Sequence, residues 1–124
     1  MDYTVKKLRT LYGNLKIEID PIRGRIAFLP FTPSGPTDNY ITIPDGKVFY
    51  MDVIEVYNTD TAASHTFVVQ DDAGNDLSLT YTVPAGEYIK IEFYHGALSG
   101  KIHFVPDTYN TLRFKPSGYL DDAE

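Results

Sequence analysis

A chain of 124 residues with a net charge of −6 and no cysteine implies one domain able to bury a core of its own. The missing cysteines exclude disulfides, thiolate metal sites and cysteine nucleophiles, and the acidic balance argues against a nucleic-acid partner held by basic residues. No apolar run approaches the ~20 residues of a membrane span, and residues 1–12 are too polar for a secretory signal.

Ten tyrosines and seven phenylalanines, with nine glycines and eight prolines, select the fold class. β-Branched and aromatic residues suit a pleated sheet, and Gly and Pro punctuate the runs at short intervals. The pattern predicts an all-β antiparallel sandwich, jelly-roll-like, of about 8–10 short strands. It forms a single domain over 1–124.

In chain order, residues 3–12 fit either a helix or a strand and are read as an N-terminal arm over 1–12. Leu15, Ile17 and Ile19 alternate with Lys16, Glu18 and Asp20, and Ile26 and Phe28 form the partner strand beyond Ile22–Arg25. Pro30–Asp38 carries three prolines and a glycine and reads as a loop or extended arm. Val48–Tyr57 is apolar on both faces, with Val48, Tyr50, Ile54 and Val56 on one side and Phe49, Met51, Val53 and Tyr57 on the other. A bulge at Asp52 would turn that carboxylate out of the core.

His65, Phe67 and Val69 share a strand face that leads into Asp71–Asp76. Leu77, Leu79, Tyr81 and Val83 alternate with polar residues, as do Ile89, Ile91 and Phe93. Pro84-Ala85-Gly86 between them reads as the turn of a hairpin. Ile102 and Phe104 mark a strand after the His95–Gly100 loop. Leu112 and Phe114 mark the last strand, ended by Pro116-Ser117-Gly118, and 119–124 is a flexible acidic tail.

Chemistry is sparse. His65, His95 and His103 lack the spacing of a strand or helix metal motif; His65 and His103 would have to meet across strands. Asp71–Asp76 lacks the alternation of a calcium loop and fits a tight turn. No nucleophile elbow, acid–base set or phosphate cradle is present, so neither an enzyme nor a cofactor or metal site is expected. The tyrosines remain. Tyr40, Tyr57, Tyr88 and Tyr94 lie on strand faces opposite the better apolar set, where amphipathic rings suit a protein interface or a sugar platform. With the Val48–Tyr57 run they give a candidate interface of Phe49, Met51, Val53, Tyr57, Tyr88 and Tyr94.

The stretch from Gly46 to Val105 carries a resemblance. Gly46–Asn58, the Thr59–Ser64 turn, the strand Thr66–Gln70 and Val83–Phe93 with its Pro-Ala-Gly form one idiom. This stretch resembles the small β-sandwich proteins of tailed-phage and related virions, of the capsid-decoration or head-fibre type. The resemblance covers about half of the chain and carries over no functional residue. It implies a non-enzymatic structural subunit on a virion surface that self-associates, most often as a homotrimer, and contacts the major capsid or another virion protein. A carbohydrate-binding module using the exposed tyrosines, with a glycan as partner, is the alternative.

Overall fold

The computed structural model describes residues 8–12, 15–20 and 24–123, with 8–12 and Leu15 as backbone alone. Among the described residues ten strands follow one another: β1 (Leu8–Tyr12), β2 (Leu15–Asp20), β3 (Arg25–Phe28), β4 (Tyr40–Thr42), β5 (Lys47–Asn58), β6 (His65–Asp71), β7 (Tyr81–Val83), β8 (Tyr88–Glu92), β9 (Lys101–Pro106) and β10 (Leu112–Asp122). They form a six-stranded sheet, β1-β2-β3-β10-β5-β8, and a four-stranded sheet, β4-β9-β6-β7. Every pairing is antiparallel. The strands β3-β10-β5-β8 against β4-β9-β6-β7 have the order of an eight-stranded jelly roll, extended by the β1-β2 ribbon. The expected fold class is the observed one.

The core lies between the sheets. From the six-stranded sheet come Ile17, Ile26, Phe28, Phe49, Met51, Ile54, Val56, Leu112 and Phe114; from the four-stranded sheet come Ile41, Phe67, Val69, Val83, Ile102 and Phe104. Phe114 ties the layers together, with ring centroids 5.0 Å from Phe67 and 5.1 Å from Phe104. Alternation along each strand supplies these residues, because successive side chains point to opposite faces.

The bulge falls where Asp52 predicts it. Ser117 lies opposite Val53 and Gly118 opposite Met51, so Asp52 is the extra residue on β5. The Asp52 carboxylate lies outside the core, as expected, and is a quarter exposed, but the reading of two apolar faces is corrected. A single extra residue inverts the parity of everything beyond it. Phe49 and Met51 before the bulge, and Ile54, Val56 and Asn58 after it, therefore all face the core. The strand does not have two apolar faces; it has one, whose period slips at Asp52.

Four other expectations are corrected. Pro84-Ala85-Gly86 is not a hairpin turn, because β7 pairs with β6 and β8 with β5; the segment crosses between sheets. Alternation tells which way side chains point, not which strand lies alongside. Leu77–Thr80 is not part of β7, and Leu79 is 80 % exposed. The last strand does not end at 116–118 either, since β10 runs on and pairs with β5 as far as Asp122. The N–H and C=O of Phe114 bond to Phe31, on the side away from β5. Pro116, two residues on, points its missing donor the same way, so the β5 ladder loses no bond. The expected flexible tail is therefore paired strand through 122, with Lys47 Nζ 2.5 Å from Asp122 Oδ1.

Neither expected arm in the described residues is free. Residues 8–12 form β1 at the edge of the larger sheet, whereas residues 1–7 lie outside the described residues. Pro30–Asp38 is docked, since Phe31 exchanges backbone bonds with Phe114 at 3.0 and 2.8 Å, and Pro33 is buried.

Candidate functional site

The outer face of the six-stranded sheet gathers several exposed aromatic and charged residues. Its rows follow from register. Tyr88, Tyr57 and Arg113 lie side by side across β8, β5 and β10; Lys90, Glu55 and Lys115 form the next row; Glu92, Val53, Ser117, Ala27 and Glu18 form the third. Beyond the bulge, Tyr50 faces Tyr119. Two shallow depressions share Glu55 and Lys115. One, of about 370 Å³, also touches Val53, Arg25 and Asp20; the other, of about 270 Å³, also touches Tyr57, Tyr88, Arg113 and Pro30.

Geometry fixes much of this face. Arg25 Nη1 donates to Asp52 Oδ2 at 2.7 Å and Nη2 to Oδ1 at 2.5 Å, so the bulge carboxylate is clamped by a fork of donors. The same guanidinium sits 4.8 Å from the Tyr119 ring centroid, a cation–π distance. The Asp52 hydrogen bonds hold Arg25 still more firmly protonated. Partial burial pushes the Tyr88 phenol up to about 12, aided by the nearby Glu55 carboxylate, whose negative charge disfavours a phenolate.

Of the six candidate residues, Val53, Tyr57 and Tyr88 come together here. Phe49 and Met51 do not: they are 0 % and 2 % exposed, in the core. Tyr94 is 80 % exposed beyond the end of β8 and lines neither depression. Tyr40 lies on the opposite sheet against His103 and Lys101, so the tyrosines do not form one platform. Arg25, Lys90, Arg113 and Lys115 do not stand out in the sequence. Arg113, Lys115 and Ser117 do alternate with Leu112, Phe114 and Pro116, a signal hidden by reading Pro-Ser-Gly as a stop.

The histidines are held apart. His65 Nε2 lies 2.8 Å from Asp60 and Nδ1 2.9 Å from Asp107; His103 lies between Asn39 and Asp72. Gln70 pairs with His103 in the ladder, five residues along β6 from His65, so the two rings do not meet. Asp71–Asp76 is a turn in which the Asp71 carboxylate accepts from the backbone N–H of Ala73 and Asn75 at 3.0 and 2.9 Å. Among the described residues, no group of three or more His, Cys, Asp or Glu converges to hold a metal ion.

The Asp60–His65–Asp107 cluster gives a pH prediction. Hydrogen bonding to Asp60, then to Asp107, raises the His65 pKa above 6.5, and hydrogen bonding to His65 lowers Asp60 below 3.8. A raised histidine stabilises the fold below its ordinary value and loses that contribution as pH rises through its folded value. A lowered aspartate stabilises above its ordinary value and loses it as pH falls. The Tm gap between the native protein and His65→Gln should therefore be widest near pH 5 and shrink in both directions. A gap independent of pH would show that the ring is not charged in the fold.

No protein-family profile and no curated protein matches the sequence. Two solved structures resemble the fold at a distance. The Drosophila melanogaster CENP-C cupin domain has a TM-score of 0.37 and 6% identity over 98% of this chain and 84% of that one. Drosophila melanogaster CENP-C bound to CAL1 has a TM-score of 0.33 and 8% identity over 93% and 76%. Neither is described as a virion protein, and no residue or partner carries over from either.

Proposed function

We propose that this chain is a non-enzymatic assembly subunit that acts by binding protein, including further copies of itself. The observation that supports this reading best is the outer face of the six-stranded sheet. There, Tyr57 and Tyr88 lie in adjacent register beside Arg113, Lys90 and Lys115, on a face that carries two shallow depressions. Tyrosine and arginine bring contact area and directed hydrogen bonds together and are enriched at protein interfaces. The virion-surface setting, as a decoration or fibre-type subunit on a capsid lattice, comes from the resemblance of Gly46–Val105. Phe49 and Met51 lend no support to self-contact, because they are core. No copy number of three is retained, since that number came with the virion resemblance alone.

The second reading, carbohydrate binding, has Tyr57 and Tyr88 as its platform. Light scattering at micromolar concentration decides between them. An oligomer supports the assembly subunit; a monomer that binds immobilised glycans and loses them in Tyr88→Ala moves the sugar reading ahead.

A further inference from the structure

Among the described residues β8 ends the six-stranded sheet, with β5 on one side only. Its backbone orientation follows from two bonds to β5 at either end of the strand. Asn58 N–H donates to Glu87 C=O at 2.9 Å, and Phe93 N–H donates to the Asp52 carbonyl at 2.8 Å. Backbone groups alternate sides along a strand, so 87, 89, 91 and 93 address β5 and those of Tyr88, Lys90 and Glu92 point to the open edge. A strand presenting such groups invites another strand. The side chains fit the same frame. Tyr88, Lys90 and Glu92 are exposed, whereas Ile89 and Ile91 on the core side are only half-buried, and among the described residues no strand pairs with β8 beyond them.

A second copy of this strand can pair antiparallel about a two-fold axis perpendicular to the sheet, and the open-edge groups restrict the register. Centring the axis on Lys90 sets Lys90 against itself, and centring it on Glu92 sets Glu92 against itself; like charges directly opposite are unfavourable. Centring it on Ile91 sets each Lys90 opposite the second copy's Glu92, and Tyr88 opposite the second copy's Tyr94. Ile91 then meets Ile91 on the core side, and Ile89 meets Phe93. Opposite charges, paired rings and half-covered isoleucines all find partners in this one register. The Lys90–Glu92 pairs are also those whose backbone groups lie on the open edge.

We propose that the protein self-associates as a two-fold dimer through β8, in antiparallel register centred on Ile91, joining two six-stranded sheets into one. The proposal rests on the assembly-subunit reading and deepens it. The charges that deter irregular edge pairing become complementary only in this alignment, so specificity comes from register.

Two kinds of variant of the full chain test it. Because the chain has no cysteine, Ile91→Cys introduces one thiol. At a non-hydrogen-bonded antiparallel pair the two Cα atoms lie about 4.5 Å apart, within disulfide reach of about 4.4–6.8 Å. Mild oxidation should give a covalent dimer on a non-reducing gel, whereas the more exposed Tyr94→Cys should not cross-link under the same conditions. Independently, Lys90→Glu or Glu92→Lys alone should weaken the dimer about tenfold or more, since each creates two like-charge contacts. The combined reversal should restore most of the loss, with melting curves verifying the fold of each variant. An oligomer that is indifferent to all three reversals and gives no Ile91 cross-link overturns the β8 register but leaves self-association standing. A native protein that is monomeric overturns both.

Discussion

Gly118→Ala is expected to abolish the native fold or cost about 4 kcal/mol. A Cβ on this residue would lie 2.1 Å from the Tyr50 carbonyl oxygen and 2.9 Å from the Met51 Cα. Both contacts are backbone atoms of the neighbouring strand, so no side-chain rotation relieves them. Gly118 is not in the left-handed region, and the requirement is purely one of space: the β5 backbone lies against the Gly118 Cα where the ladder slips by one residue beside Asp52. Removing the overlap means separating the two longest strands at the centre of the sheet. Chemical denaturation measures the effect. A loss below about 1 kcal/mol would mean that the strands can part there cheaply and that the bulge is not a fixed feature.

Asn58→Asp is expected to cost about 3 kcal/mol at pH 7. Asn58 is 0 % exposed. Its Nδ2 donates to the carbonyls of Ala63 and Val83, each at 3.0 Å, and of Pro84 at 3.3 Å; its Oδ1 accepts from Asp60 N–H at 2.9 Å. This one amide joins the end of β5 to the Thr59–Ser64 turn and to the crossover from β7 to β8. The aspartate keeps the shape and the Oδ1 acceptor but sets an oxygen against carbonyl oxygens. It must either remain an unpaired buried anion or take up a proton and serve fewer carbonyls. Its folded pKa is then raised, so the penalty grows as pH rises above the ordinary carboxyl value and eases on acidification. Urea melts at pH 7 and near pH 4 check both the size and the sign. Stability equal to the native protein at pH 7 would contradict this role for the amide.

Where one strand's own pattern was enough, the sequence was legible. The alternation of Ile17 with Glu18 and the shared face of Phe67 and Val69 mark real strands, and Asp52 in an apolar run marks the bulge. What needed a neighbour was not legible. Phe49 and Met51 share odd parity with Val53 and Tyr57, and only the slip against Ser117 and Gly118 shows that the first two face inward and the others outward. Val83 and Ile89 both point into the core, which is equally true of strands side by side and of strands facing one another across a sandwich. Pro116 and Gly118 are stop signals in isolation. Beside Phe31 and β5 they become the residues that let β10 pass. Tyr57 and Tyr88 were found because tyrosine on a polar face stands out. Arg25, from β3, was missed because its pairing with Asp52 spans 27 residues of sequence.

If this chain is an assembly subunit, the mass of the native protein in solution shows it most directly. Light scattering across micromolar concentrations should give about twice the 14.0 kDa of one chain, maintained at moderate salt once apolar contact and backbone pairing supplement the charge pairs. A mass of 14.0 kDa throughout that range would contradict it.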